Sequence, residues 1–325
     1  MIEEPIGHEA VRETLRALAQ RRSGDAAAAL HHAWLFAGPA GVGKFQVARW
    51  WASLLKCPQA GGCDASCQSC RLLRGGVHPD VLETSPELEG KKSFGVDESR
   101  ALLHRLMLRP LRPGPRIAIV REAATMTPDA QNALLKLLEE PPGSAVIVLV
   151  TDNIGAMLPT VRSRCRHLAF GALADGEIAR VLVKLGKTGE EAAAAAACAH
   201  GSVARALAMD AEGLADREKT LLAFEAVRRD CAAIEPLVQS LAARKDDGYS
   251  LAEILEWQLS KIHAALGRRD AEPSPQLASV LDDCRSVQAR TLIEEAERIL
   301  YTIDAIARNA NAKLVIRDLL MNVRA

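Results

Sequence analysis

The chain has 325 residues, 49% of them apolar and 25% charged, with 41 Lys+Arg balanced by 41 Asp+Glu. At about 150 residues per domain, this is enough globular sequence for two or three domains with buried cores. Zero net charge excludes the overall excess with which a free-standing nucleic-acid or membrane-surface binder collects phosphates, so any such role is local or borrowed from partners. No run reaches the roughly 18 to 20 apolar residues of a membrane span. Met1-Ile2-Glu3-Glu4-Pro5 opens with acids where a signal peptide carries bases, so a cytoplasmic protein is expected.

In chain order, Val11, Leu15 and Leu18 recur at helical spacing within residues 5–22, and His31 to Ala37 is a short apolar run ending in glycines, which predicts helix, buried strand and loop. Val81-Leu82 opens a further strand, and Arg116 to Val120 and Ala145 to Val150 are strand-length runs rich in β-branched residues. Helical patterns separate them, so the expected class is α/β with a parallel sheet covered on both faces. Thr127-Pro128-Asp129 gives an N-cap and first-turn proline; Ala130, Ala133, Leu134, Leu137 and Leu138 form one stripe, and Pro141-Pro142-Gly143 ends it. Beyond about residue 168 strand signals stop. Asp175 to Leu185 and the alanine-rich Gly189 to His200 read as helices, Gly201 closes the second, and Ser202 caps another. From about 210 onward the pattern is amphipathic helix, broken chiefly at 267–275.

Gly38-Pro39-Ala40-Gly41-Val42-Gly43-Lys44 fits G-x-x-x-x-G-K between a strand and a helix, where backbone N–H groups cradle phosphates. The next residue is Phe45, which has no hydroxyl to offer Mg²⁺. The strand ending at Val120 runs into Arg121-Glu122, so a cation stands where a metal-holding carboxylate belongs. Both departures point to lost hydrolysis.

Cys57, Cys63, Cys67 and Cys70 are spaced C-x5-C-x3-C-x2-C, with Gly61-Gly62, Asp64 and Ser66 supplying turns. Four thiolates with no open position imply structural Zn²⁺. Free or disulfide-bonded cysteines are the alternative, as is an iron–sulfur cluster on Cys63, Cys67 and Cys70. Cys165, Cys198, Cys231 and Cys284 share no spacing and read as small core residues. Thr160 to Arg166 packs three arginines into five residues, either a solvated loop or a cationic reach toward a neighbour's phosphates.

A P-loop followed by a cysteine cluster, then His78-Pro79-Asp80, then Gln131-Asn132-Ala133-Leu134-Leu135-Lys136-Leu137-Leu138-Glu139-Glu140-Pro141-Pro142, then Ser163-Arg164-Cys165, resembles bacterial DNA polymerase III clamp-loader subunits, which are AAA+ proteins. The match covers most of residues 5–208. Motor (gamma/tau) subunits of that family keep the hydroxyl and the acidic pair, so Phe45 and Arg121 make the likeness closest to the non-motor, delta-prime type.

The resemblance implies an AAA+ P-loop domain over 1–168 carrying a zinc-binding insertion at 57–70, a helical lid over 169–208 and an all-α collar over 209–325 that oligomerises. It implies a subunit that is not by itself an enzyme, a stator in a hetero-pentameric ring with motor and delta subunits. Through that ring it would act on the sliding clamp and primed DNA in the replisome. Arg164, with Ser163 and Cys165, would be an arginine finger given in trans to a neighbour's ATP. Gly38, Gly41, Gly43 and Lys44 would form a degenerate P-loop that holds no ATP or ADP. Arg205, in Gly201-Ser202-Val203-Ala204-Arg205, would be a relic of the second sensor. The alternatives are an ATP-hydrolysing motor of the same loader and another AAA+ DNA remodeller.

Overall fold

The computed structural model describes residues 2–24, 30–59, 63, 66–86, 90–91, 93–141, 145–209, 219–220, 222–224, 226–227, 230–243, 254–255, 258–259, 262, 289–307 and 310–322. The described chain divides into two compact units, 1–181 with 201–204, and 182–200 with 205–325.

In the first unit the apolar runs become strands β1 (Ala33–Ala37), β2 (Val81–Thr84), β3 (Arg116–Val120), β4 (Ala145–Thr151) and β5 (Arg166–Ala169). They form one sheet in the order β2-β3-β4-β1-β5 with every pairing parallel. The register sets Leu35 between Leu149 and His167, and Ala118 opposite Ile147. Because side chains alternate along a strand, each run feeds two cores. Ala33, Leu35, Ala118, Val120, Ala145, Ile147 and Leu149 enter one layer, and Trp34, Phe36, Ile117, Ile119, Val146, Val148 and Val150 the other. That two-sided demand is why these strands are continuously apolar rather than alternating.

The helices supply the outer surfaces of both layers. Helices α1 (Glu9–Gly24) and α2 (Lys44–Lys56) bring Leu15, Ala19, Val47, Trp50, Trp51 and Leu54 to the second layer. Helix α3 (Gln68–Arg74) follows, and helices α4 (Val96–Met107) and α5 (Pro128–Glu139) cover the first layer with Leu102, Leu106, Ala130, Leu134, Leu137 and Leu138. The predicted start of α5 is as expected, Thr127 Oγ1 accepting the Ala130 N–H at 3.2 Å beside Pro128. The first helix begins at Glu9 rather than Pro5, because Gly7 and His8 both take positive φ (84° and 52°) and break helical continuity. Strand β5 has no counterpart in the sequence reading. It is a four-residue edge strand whose Arg166, His167 and Ala169 are exposed, so no buried run announces it.

Two short helices, α6 (Pro159–Arg162) and α7 (Asp175–Lys184), flank β5. In the second unit the alanine run is helix α8 (Gly189–Cys198), opened by a capping box of Thr188 and Glu191 and burying Ala192, Ala195, Ala196 and Cys198. Helix α9 (Val203–Ala208) follows Ser202, and later helices span Ile234–Ala243, Ala289–Ala307 and Ala312–Asn322. The proposed break at 267–275 lies outside the described residues. Among those described, no helix is long and apolar enough to cross a membrane.

Candidate functional site

The P-loop lies where its sequence requires, between β1 and the first turn of α2. Gly38 passes so close to Phe170 that a Cβ would strike the Phe170 carbonyl, and its N–H donates to the Thr151 carbonyl at 3.3 Å. Gly41 has φ +73°, and a Cβ there would meet Ser202 Oγ and the Ala204 methyl. The Ala204 N–H donates to the Gly41 carbonyl at 3.3 Å, and His8 Nε2 lies 2.8 Å from the Val42 carbonyl. Residues 202–204 and His8 thus pack directly on the loop. Lys44 is buried, and its Nζ donates to the Gly38 and Pro39 carbonyls, both at 2.6 Å. Burial lowers its pKa, with Asp152 nearby opposing the shift.

The side chains of Phe45 and Arg121 meet each other. The Arg121 guanidinium lies 4.6 Å from the centre of the Phe45 ring, and that of Arg49 lies 5.8 Å from it. Arg49 is held in turn by Glu83 of β2 at 2.7 Å. A cation on an aromatic face is favourable by about 0.5 to 2 kcal/mol, so the guanidinium and the ring, which is next to the P-loop lysine in sequence, form a favourable pair. Glu122 beside it is exposed and takes left-handed φ 53°.

The four clustered thiols also converge. All Sγ atoms of Cys57, Cys63, Cys67 and Cys70 lie within 4.8 Å of one another, Cys57 to Cys63 being 3.3 Å and Cys63 to Cys70 3.5 Å. At about 2.3 Å per Zn–S bond, tetrahedral ligation separates sulfurs by roughly 3.8 Å, so the set suits a metal ion after slight expansion. The Cys67 N–H lowers the Cys63 thiol to about 6, while burial pushes Cys70 up. A dication among them offsets that desolvation and favours four thiolates. Of the turn residues named in the sequence, Ser66 donates from Oγ to the Cys63 carbonyl at 2.7 Å; Gly61, Gly62 and Asp64 lie outside the described residues. Cys57 ends α2 and Cys67 caps α3, accepting the Cys70 N–H on its sulfur.

Beneath this module is a buried ionic hub. Asp80 accepts from Lys56 Nζ at 2.9 Å and from the N–H groups of Leu111 and Arg112 at 2.8 and 2.9 Å, with Arg116 Nη2 at 3.4 Å. These donors hold its carboxyl down at about 2 against the burial that raises it. Burial, then Lys56, lowers His78 to about 4. A neutral His78 accepts the Asp80 N–H on Nδ1, leaving Nε2–H for Ser69.

Arg164 lies at the end of the segment following α6. Its Nη2 is 2.6 Å from Glu139 Oε1 and its Nη1 donates to the Thr160 carbonyl at 3.0 Å. Ser163 Oγ donates to the same carbonyl at 3.2 Å, whereas Cys165 faces the first core layer and is pushed up to about 12 by burial.

A sequence profile of the family described as DNA polymerase III, delta subunit, matches residues 13–174. Over this segment the chain is similar to DNA polymerase III subunits. It is similar to DNA polymerase III subunit delta' of Pseudomonas aeruginosa, 40% identical over 157 residues that cover 46% of this chain and 48% of the relative. Similarity to subunit delta' of Escherichia coli K12 is 37% over 138 residues, 42% and 41% of the two chains. Subunit gamma/tau of Mycobacterium tuberculosis H37Rv is 36% identical over 159 residues, 48% of this chain and 27% of the relative. The chain therefore spans about half, or less, of the length of these relatives.

The structure gathers Gly38, Gly41, Gly43 and Lys44 into one loop and the four cysteines into another cluster. Arg164, partly exposed, belongs to the first unit, and Arg205 belongs to α9 in the second. Sequence reading assigned no part to Glu139, Asp152, His8 or Gln131. Gln131 is buried in α5 and ties that helix to the chain before α6: its Nε2 donates to the Ala156 and Met126 carbonyls at 3.0 and 3.2 Å, and its Oε1 accepts the Leu158 N–H at 2.7 Å. The available signal was a polar residue inside the apolar stripe of α5. Cys231 and Cys284 contribute no described side chain.

Proposed function

We propose that this chain is the delta-prime-type subunit of a bacterial clamp loader, a cytoplasmic stator that hydrolyses no ATP itself. It offers Arg164 across a ring interface to ATP held by a motor subunit. The single observation that carries the reading is the pairing of Arg121 with Phe45 at 4.6 Å beside the P-loop lysine. A functioning site needs a hydroxyl and a carboxylate on Mg²⁺ there; an aromatic ring leaves no ligand, and a guanidinium repels the ion. Lys44, turned onto the carbonyls of its own loop, supports the same conclusion.

The partly exposed guanidinium of Arg164 supports a reach in trans, because it stays open to solvent while the backbone beside it is fixed by Cys165 in the core. In this reading residues 169–208 act as the lid and 209–325 as the collar holding motor and delta subunits. The ring opens the sliding clamp and places it on primed DNA. Cys57, Cys63, Cys67 and Cys70 hold Zn²⁺, which is structural, since four thiolates complete its coordination.

The test is Mg²⁺-dependent ATP turnover, measured for the chain alone and for a loader assembled with motor and delta subunits, clamp and primed DNA. The chain alone is expected to give no turnover that Lys44→Ala removes. In the loader, Arg164→Ala is expected to cut turnover at the adjoining site by roughly tenfold or more with the assembly intact. Sustained turnover by the chain alone, abolished by Lys44→Ala, would establish the motor reading instead.

A further inference from the structure

We propose that Glu139 is the positioning residue of the arginine finger; this rests on the reading of Arg164 as that finger. Nothing in the sequence pairs the two, yet Glu139 is the last residue of α5 and its Oε1 lies 2.6 Å from Arg164 Nη2. The Thr160 carbonyl takes Nη1 at 3.0 Å. The guanidinium is thereby held by two acceptors from two elements, and this fixes both its place and the plane of its fork.

The support behind those acceptors is rigid. Cys165, next to the finger, is buried with Leu134, Leu137 and Leu138 of α5 in the same core layer. Gln131, two turns before Glu139 on α5, is bonded to the chain at Ala156 and Leu158 that leads into α6. The backbone of the finger and the carboxylate that orients it are thus carried by one braced pair of elements, and side-chain rotation is the freedom Glu139 removes. That freedom is substantial for an arginine, whose long side chain has large rotamer entropy.

Two anchors leave the finger able to act. A guanidinium has five N–H donors; one is given to Glu139 and one to Thr160, so three remain for phosphate oxygens. Arg164 retains about a third of its side-chain exposure (36%) and Glu139 about half (52%), so the pair sits at the surface where a neighbour docks. The carboxylate accordingly holds the finger in its working direction and need not release it. A parked finger would behave oppositely, gaining activity when the carboxylate is removed.

The experiment compares wild type, Glu139→Ala, Glu139→Gln, Arg164→Ala and the double variant Glu139→Ala/Arg164→Ala in the assembled loader with clamp and primed DNA. It measures kcat and KM for ATP, with assembly followed by gel filtration. Glu139→Ala is expected to lower kcat about threefold to tenfold with KM and assembly unchanged, since misaiming a catalytic group costs turnover rather than binding. Glu139→Gln, which keeps an acceptor of the same reach, should recover at least half of the loss. The double variant should be no slower than Arg164→Ala, because the two residues act as one unit. If Arg164→Ala lowers kcat while Glu139→Ala leaves it unchanged or raises it, the positioning role is refuted and the finger stands. An Arg164→Ala variant with full turnover would remove the finger reading and this inference together.

Discussion

Replacing Asp80 by Asn tests the ionic hub that ties the cysteine-bearing segment to the sheet. The side chains of Asp80 and Lys56 are both fully buried, and the carboxyl is held at about 2 against an ordinary 3.8. At 1.36 kcal/mol per pK unit, that displacement corresponds to about 2 to 3 kcal/mol of native stability. Asparagine keeps the shape but leaves Lys56 and Arg116 without an anion, and stranding buried charge typically costs about 3 to 5 kcal/mol. We expect Asp80→Asn to destabilise the first unit by about 3 kcal/mol. The acid response follows in sign: the folded pKa lies below the unfolded one, so the wild-type contribution is complete above pH 4 and is lost as the pH falls toward 2, whereas the variant lacks that slope. Urea unfolding followed by tryptophan fluorescence measures both, because Trp34, Trp50 and Trp51 are buried in this unit. A loss below 1 kcal/mol, or an unchanged slope between pH 4 and pH 2, would refute the reasoning.

Metal analysis of the purified chain should give one zinc per molecule. Cys70→Ser, which removes the most completely buried of the four sulfurs, should reduce that below about one fifth and lower the urea midpoint; retention of full zinc would dismiss the four-thiolate site. Gly41→Ala should destabilise the first unit by about 2 to 3 kcal/mol, combining left-handed strain with a collision against Ser202 and Ala204. Gly43→Ala should cost only about 1 to 2 kcal/mol, because Gly43 shares the positive φ (+94°) but has nothing within 4 Å of its missing Cβ. Equal losses in urea unfolding would show that packing by 202–204 contributes nothing.

Wherever one segment carried its own burial signal, the sequence was sufficient. β1, β3 and β4 were legible because both faces of each strand are covered, and α5 because Thr127, Pro128 and an apolar stripe agree. β5 was not, since exposed Arg166 and His167 give an edge strand the composition of a loop, and only pairing with β1 defines it. The same division runs through the site. Glycine spacing marked the P-loop and cysteine spacing the thiol cluster. Phe45 and Arg121 stood out singly as departures from the usual P-loop pattern, but their contact joins residues far apart in sequence, as do the contacts of Ser202 with Gly41 and of Glu139 with Arg164. Such pairings arise when the sheet assembles, and no local period encodes them.

The burial of Cys165 has a consequence for the reactivity of the protein. Thiol chemistry proceeds through the thiolate, and a group pushed up to about 12 within an apolar layer remains protonated across physiological pH. The thiol adjoining Arg164 is therefore expected to react more slowly with peroxide, disulfides and alkylating probes than an exposed cysteine. Maleimide labelling of the folded chain is accordingly expected to spare Cys165 and the segment that carries Arg164.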